Sequence, residues 1–120
     1  MKREIRFRGI DIMDKSKGFH YGNLMIYESD KDKCAIIHDM KIHIVDSNTV
    51  GQFTGLYDCD NTPIYEGDIV HFKNKSSEFD AQVIWSNEMC RFMMKTKNSD
   101  IKDLIKSKSI NVIGNIHQKK

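Results

Sequence analysis

The chain has 120 residues, 19 Lys and Arg against 17 Asp and Glu, a formal charge of +2 and 39% apolar residues. That length and composition fit one domain with a modest core and exclude a disordered chain. The near balance of charge argues against a dedicated polyanion-binding domain, and apolar runs such as LMIY fall far short of the roughly 20 residues of a membrane helix.

The three cysteines, Cys34, Cys59 and Cys90, are odd in number and widely spaced. A secreted disulfide framework has an even, denser set, so reduced thiols in a cytosolic compartment are expected. MKREIRFRGI is broken by charge before an apolar stretch develops, which predicts no signal peptide.

In chain order, REIRFR alternates: Ile5 and Phe7 share one parity, and Glu4, Arg6 and Arg8 share the other, predicting one buried and one solvated face. DKSKG is turn chemistry. Phe19 to Tyr27 resumes as a strand in which Gly22 shifts the parity, suggesting a bulge. ESDKDK is a hairpin tip, and CAIIH and KIHIV are strands on either side of Asp39-Met40. DIVHFK, AQVIW, CRFMMK and SINVIGNI follow at intervals of about ten residues, which is an all-β pattern. The helical candidate is SDIKDLIKSK, with Ile101, Leu104 and Ile105 at i, i+3, i+4 and Ser99 or Asp100 as cap.

These elements predict an all-β fold, a barrel or a sandwich, with at most one or two short helices. The second half follows an SH3-like pattern, an analogy that carries no function. A single domain over 1–120 is expected, and any division into halves, 1–57 and 58–117, falls where turn signals peak.

The densest punctuation is TVGQFTGLYDCDNTPIYEGDIV, Thr49 to Val70, with three glycines and the chain's one proline. It resembles the signature of the YopX family, small proteins encoded largely by phages and prophages: T-x-G-Q-[YF]-T-G-L-x-D, then I-[YF]-E-G-D-[IV]-V. The matching positions include Gly51, Gln52, Thr54, Gly55 and Asp58, then Tyr65, Glu66, Gly67 and Asp68. REIRFRG and INVIGNI resemble the family's first and closing strands. The resemblance implies a β-rich fold of bent antiparallel sheets forming barrel-like parts, and an uncharacterised biochemical role. One departure is Asn61, where the family has a glycine; Asn is the residue best able to keep a left-handed turn in its place. Gly51, Gly55 and Gly67 are expected where the backbone tolerates no bulkier residue.

Asp58, Asp60, Glu66 and Asp68 are the acids of this stretch. An EF-hand loop starting at Asp58 needs Gly sixth and Glu twelfth, where the chain has Pro63 and Ile69. A looser magnesium site competes with turn-making, in which Asp accepts nearby backbone N–H groups, and turn-making is favoured. For zinc, Cys34 and His38 share a strand face about 13 Å apart, and His43 and Cys90 add no paired spacing. No nucleophile elbow or phosphate-cradling motif is present. No enzyme, metal or cofactor is therefore expected.

Lys2, Arg6 and Arg8 on the first strand, and Lys73 and Lys75 in a loop, are candidate nucleic-acid contacts. Lys106, Lys108, Lys119 and Lys120 add charge, with Tyr57 or Tyr65 as exposed aromatics. Interspersed acids favour a simply solvated face. Phe7, Phe53, Phe72, Trp85 and Phe92, with Met89, Met93 and Met94, read as core or interface.

Three functional readings follow. The leading one is a phage-type accessory protein that binds without chemistry and self-associates through strand edges, with a phage or host protein as a further partner and no membrane. The second is a nucleic-acid-binding accessory protein. The third is a metal-dependent hydrolase using Asp58, Asp60, Glu66 and Asp68.

Overall fold

Alternating side chains and short turns fold this chain almost wholly as antiparallel strands. The computed structural model describes residues 3–30, 32–106 and 108–118. Lys2, Lys119 and Lys120 of the basic segments lie outside the described residues. The strands are β1 Phe7–Ile10, β2 Phe19–Ile26, β3 Lys33–His38, β4 Lys41–Asp46, β5 Gly51–Tyr57, β6 Pro63–Tyr65, β7 Asp68–Lys73, β8 Glu78–Ser86, β9 Arg91–Thr96, β10 Ile101–Asp103 and β11 Ile110–Asn115. Helical geometry among the described residues is confined to two 3-10 turns, Lys15–Lys17 and Ser47–Thr49. The mainly-β, bent-sheet expectation is met.

Among the described residues of SDIKDLIKSK the expected helix is absent. Its first residues form β10, in which Ile101 pairs with Lys95 and Asp103 with Met93. Ladder bonds to β9 outweigh a helical stripe of three apolar residues, two of which, Ile101 and Ile105, are exposed here. No helix among the described residues is long and apolar enough to cross a membrane.

The chain divides into two compact units, 1–53 and 54–120, with the divide inside β5 rather than in the turn beyond it. In the first unit the strand order is β4-β3-β2-β1-β5. Asp39 and Met40 both take positive φ, 48° and 65°, the pattern of a type I′ hairpin between β3 and β4. Cys34, Ile36 and Val45 form the core, with Phe7, Leu24 and Val50 packed against it.

Two expectations for this unit need correction. Gly22 makes no bulge: the β1–β2 register runs unbroken from Phe7↔Gly22 to Ile10↔Phe19. Its missing Cβ instead leaves room for the Ile37 carbonyl, which any side chain there would strike. Arg8 is not solvated either. It is 5% exposed, and its guanidinium lies 4.2 Å from the Phe19 ring centroid. A flat ribbon would send the basic parity to water, whereas this sheet curls, and the ring gives the cation a face to rest on.

The curl is visible just past β1. Asp11 follows β1, donates its N–H to the Gly18 carbonyl and bridges Val45 of β4, and the Ile12 N–H donates to the Ile44 carbonyl at 3.1 Å. The end of β1 thus touches both β2 and β4.

In the second unit the order is β10-β9-β8-β7-β11, and β6 lies beside β5, where the Thr54 hydroxyl donates to the Ile64 carbonyl. Ile64, Val70, Ala81, Val83, Met94 and Ile110 form the core. Met93 and Met94 are buried as expected, but Trp85 and Met89 are exposed, Trp85 packing edge-on against Phe92. Gly67, with φ of 93°, makes the tight turn from β6 to β7; its N–H donates to the Val83 carbonyl and its own carbonyl accepts from Ile116.

Candidate functional site: a signature-lined groove and a histidine–aspartate cluster

Asp58 ends the first half of the signature and is 6% exposed. Its Oδ1 accepts the N–H groups of Asp60 and Thr62 at 2.9 and 2.8 Å, and its Oδ2 accepts that of Val112 on β11 at 2.9 Å. The loop closes through Asp58 N–H to the Thr62 carbonyl and Asn61 N–H to the Asp58 carbonyl. Asn61 takes φ of 63°, the left-handed conformation expected of it. Pro63 begins β6, a position that a missing N–H tolerates.

Two other signature acids also accept hydrogen bonds, one from the backbone and one from a side chain. Asp68, 2% exposed, accepts the Tyr65 N–H at 2.8 Å, and Asp60 accepts from the Asn111 side chain. None belongs to a three-ligand cluster among the described residues. Gly55 and Gly67 have φ of 87° and 93°, whereas Gly51 is a buried strand residue opposite Arg8. Gln52 pairs with Phe7, and Glu66 is half-buried in the β6–β7 turn.

What this turn builds is a groove of about 710 Å³. Gly55, Tyr57, Asp58 and Asn61 line one part of it, and Lys106 and Lys108 another. Both lysines are exposed and Tyr57 is 43% exposed. Tyr65, the other aromatic expected at the surface, is buried at 3%. Arg6 pairs with Glu4 and rests on Phe53, while Lys73 and Lys75 are exposed at the β7–β8 hairpin. The groove collects two of the C-terminal lysines.

A second constellation was not anticipated. His20 on β2 and His43 on β4 stack their rings 3.8 Å apart and 7° from parallel. Asp11 Oδ2 lies 2.8 Å from His20 Nε2, while its Oδ1 accepts the N–H groups of Met13 and Asp14. The His20 bond, the two N–H bonds and the charge of Lys17 hold the Asp11 carboxyl at about 2. Burial, and then the neighbouring His20, push the His43 imidazole down, favouring its neutral form. Of the residues weighed for zinc, Cys34 is in the core, His38 is exposed beside Asp39 and Cys90 is exposed in the β8–β9 turn.

Another histidine with carboxylate neighbours is on β7. His71 Nδ1 lies 2.6 Å from Asp80 and Nε2 3.1 Å from Glu78. The bond to Asp80 foremost raises its pKa above 6.5.

The comparisons with known proteins agree with this architecture. A comparison with curated proteins finds no match. Among solved structures, the crystal structure of protein EF1440 from Enterococcus faecalis is similar in fold, with a TM-score of 0.53 and 20% identity, over 95% of this chain and 94% of that one. The profile described as YopX protein matches residues 6–120, so the chain belongs to the YopX family.

Proposed function

We propose that this protein is a phage- or prophage-type accessory protein of the bacterial cytoplasm that works by binding, without chemistry of its own. The observation behind this reading is the state of the signature acids. Asp58 has both oxygens occupied by backbone N–H groups, and Asp68 holds the Tyr65 N–H, so these carboxylates build a turn instead of activating a water. The turn presents the groove as a contact surface.

A second reading concerns what enters that groove, and Tyr57 beside Lys106 and Lys108 favours single-stranded nucleic acid. An aromatic face stacks on any base, and two ammonium groups suit the adjoining phosphates. Fluorescence anisotropy with labelled single-stranded DNA and RNA across a salt series tests it. Binding that weakens steeply with salt, and that the Lys106→Glu/Lys108→Glu variant abolishes, is expected. No binding at low salt removes the nucleic-acid reading and leaves a protein as the occupant.

Self-association belongs to the same proposal. The outer edge of β10, at the end of its sheet, carries exposed Ile101. Light scattering behind size-exclusion chromatography should give a mass above 14.0 kDa; a monomer at every concentration ends that part.

A further inference from the structure

We propose that Asp11, His20 and His43 form a binding site for one divalent transition-metal ion of the zinc type, a role independent of the groove. The curl of the first unit makes the site. His20 lies opposite Gly9 on β2, His43 lies opposite Ile36 on β4, and Asp11 sits where the chain passes from β1 onto the edge of β4. Three elements thus deliver one donor each, and the donor atoms all lie within 4.8 Å of one another.

Donors around a tetrahedral zinc ion at about 2.0–2.2 Å stand roughly 3.3 Å apart. With all donors already within 4.8 Å, no pair has to close by more than about 1.5 Å, which side-chain torsions supply. The imidazole lone pairs lie in the ring planes, so the two rings must also open from their present 7°. Asp11 is already oriented: the N–H groups of Met13 and Asp14 fix Oδ1 and leave Oδ2 directed at His20. This is the outer support that metal-binding carboxylates ordinarily have. The ion takes the place of the proton shared between His20 Nε2 and Asp11 Oδ2.

Two neutral imidazoles and one carboxylate suit Zn²⁺ and its neighbours Co²⁺ and Ni²⁺, and do not suit Mg²⁺ or Ca²⁺, which take oxygen. An ionised Asp11 and a neutral His43 are the required protonation states. Lys17 and Lys41 oppose the cation, as their charge also disfavours His43 protonation. Both lysines are exposed, so water and salt screen them. His20 and Asp11 side chains keep 18% and 12% of their surface open, which gives the ion a path in and leaves coordination positions for water.

The test uses the full chain without an affinity tag, stripped with a chelator and titrated with Co²⁺ while its d–d absorbance is followed, then competed with Zn²⁺. One ion per chain is expected, displaced by Zn²⁺ and not by excess Mg²⁺. His43→Gln leaves the turn bonds of Asp11 in place and should weaken binding at least tenfold, as should His20→Gln, given that loss of even an outer-shell partner costs 10–100-fold. His71→Gln should change nothing. Bound ion should raise the melting temperature of the wild type and not that of His43→Gln. Failure of Co²⁺ and Zn²⁺ to saturate overturns the site. So does unchanged affinity in the His20→Gln/His43→Gln double variant, or loss of binding on changing His71.

Discussion

Asp11 and Asp58 are both nearly buried carboxylates just past a strand, one in each unit, and they are satisfied differently. Asp58 accepts three backbone N–H groups. Asp11 accepts two, and its remaining oxygen meets an imidazole. A backbone N–H cannot move away without unmaking the fold, while an imidazole proton can be exchanged for a cation. The first carboxylate is therefore architecture, and the second is architecture with one exchangeable partner.

The contrast is most exposed to failure at Asp58. Asp58→Ala leaves three N–H groups without their acceptor and should lower unfolding stability by about 3 kcal/mol, read from the urea midpoint. It should cost more than Asp11→Ala at neutral pH; the reverse order would dissolve the distinction.

Next in size is the acid limb of stability. The Asp11 pKa is depressed from 3.8 to about 2, so its contribution is complete above 3.8 and is lost as pH falls through about 2. Asp11→Asn keeps an oxygen for the turn N–H groups but no charge, so urea midpoints of this variant should fall less across that window than those of the wild type. Parallel curves would mean that the His20 bond adds nothing.

The histidines should then titrate in opposite directions. His71, raised by Asp80, stabilises the fold fully below 6.5 and loses that contribution as pH rises through its folded value. His43, lowered by burial, is accommodated neutral, and protonating it costs stability as pH falls below 6.5. NMR titration of the ring protons should place His71 above His43; a common midpoint contradicts both environments. The smallest effect belongs to Asp60→Ala, an exposed neighbour of Asp58, which should stay within about 0.5 kcal/mol of wild type.

How much of this could be read in advance depended on range along the chain. The strands, the Asn61 turn and the turn-making role of Asp58 follow from local rules, since two of the three Asp58 bonds reach residues two and four positions on. Its third bond reaches Val112, 54 positions away, and no spacing announces that. The Asp11–His20–His43 cluster was illegible for the same reason. FHYG and KIHIV each carry an unremarkable strand histidine, and what joins them is Asp11, which follows β1 and bridges Val45 of β4. Arg8 was misread because alternation assumes a flat sheet with one wet face, whereas the chain at the end of β1 reaches β4 as well as β2. Ile101 to Ile105 were misread because an edge strand can recruit a short segment with helical spacing.

The bond from Val112 to Asp58 also sets an order in time. During synthesis the residues of the first unit all emerge by Phe53, and its hairpins can close as they appear. The signature turn emerges soon afterwards but stays incomplete, because the acceptor at Asp58 and the carbonyl of Ile110 that takes the Cys59 N–H both await β11, the last strand made. Closing so long a loop is slow compared with closing a hairpin. A ribosome stalled before residue 110 would hold a chain with its first unit formed and its family signature still open.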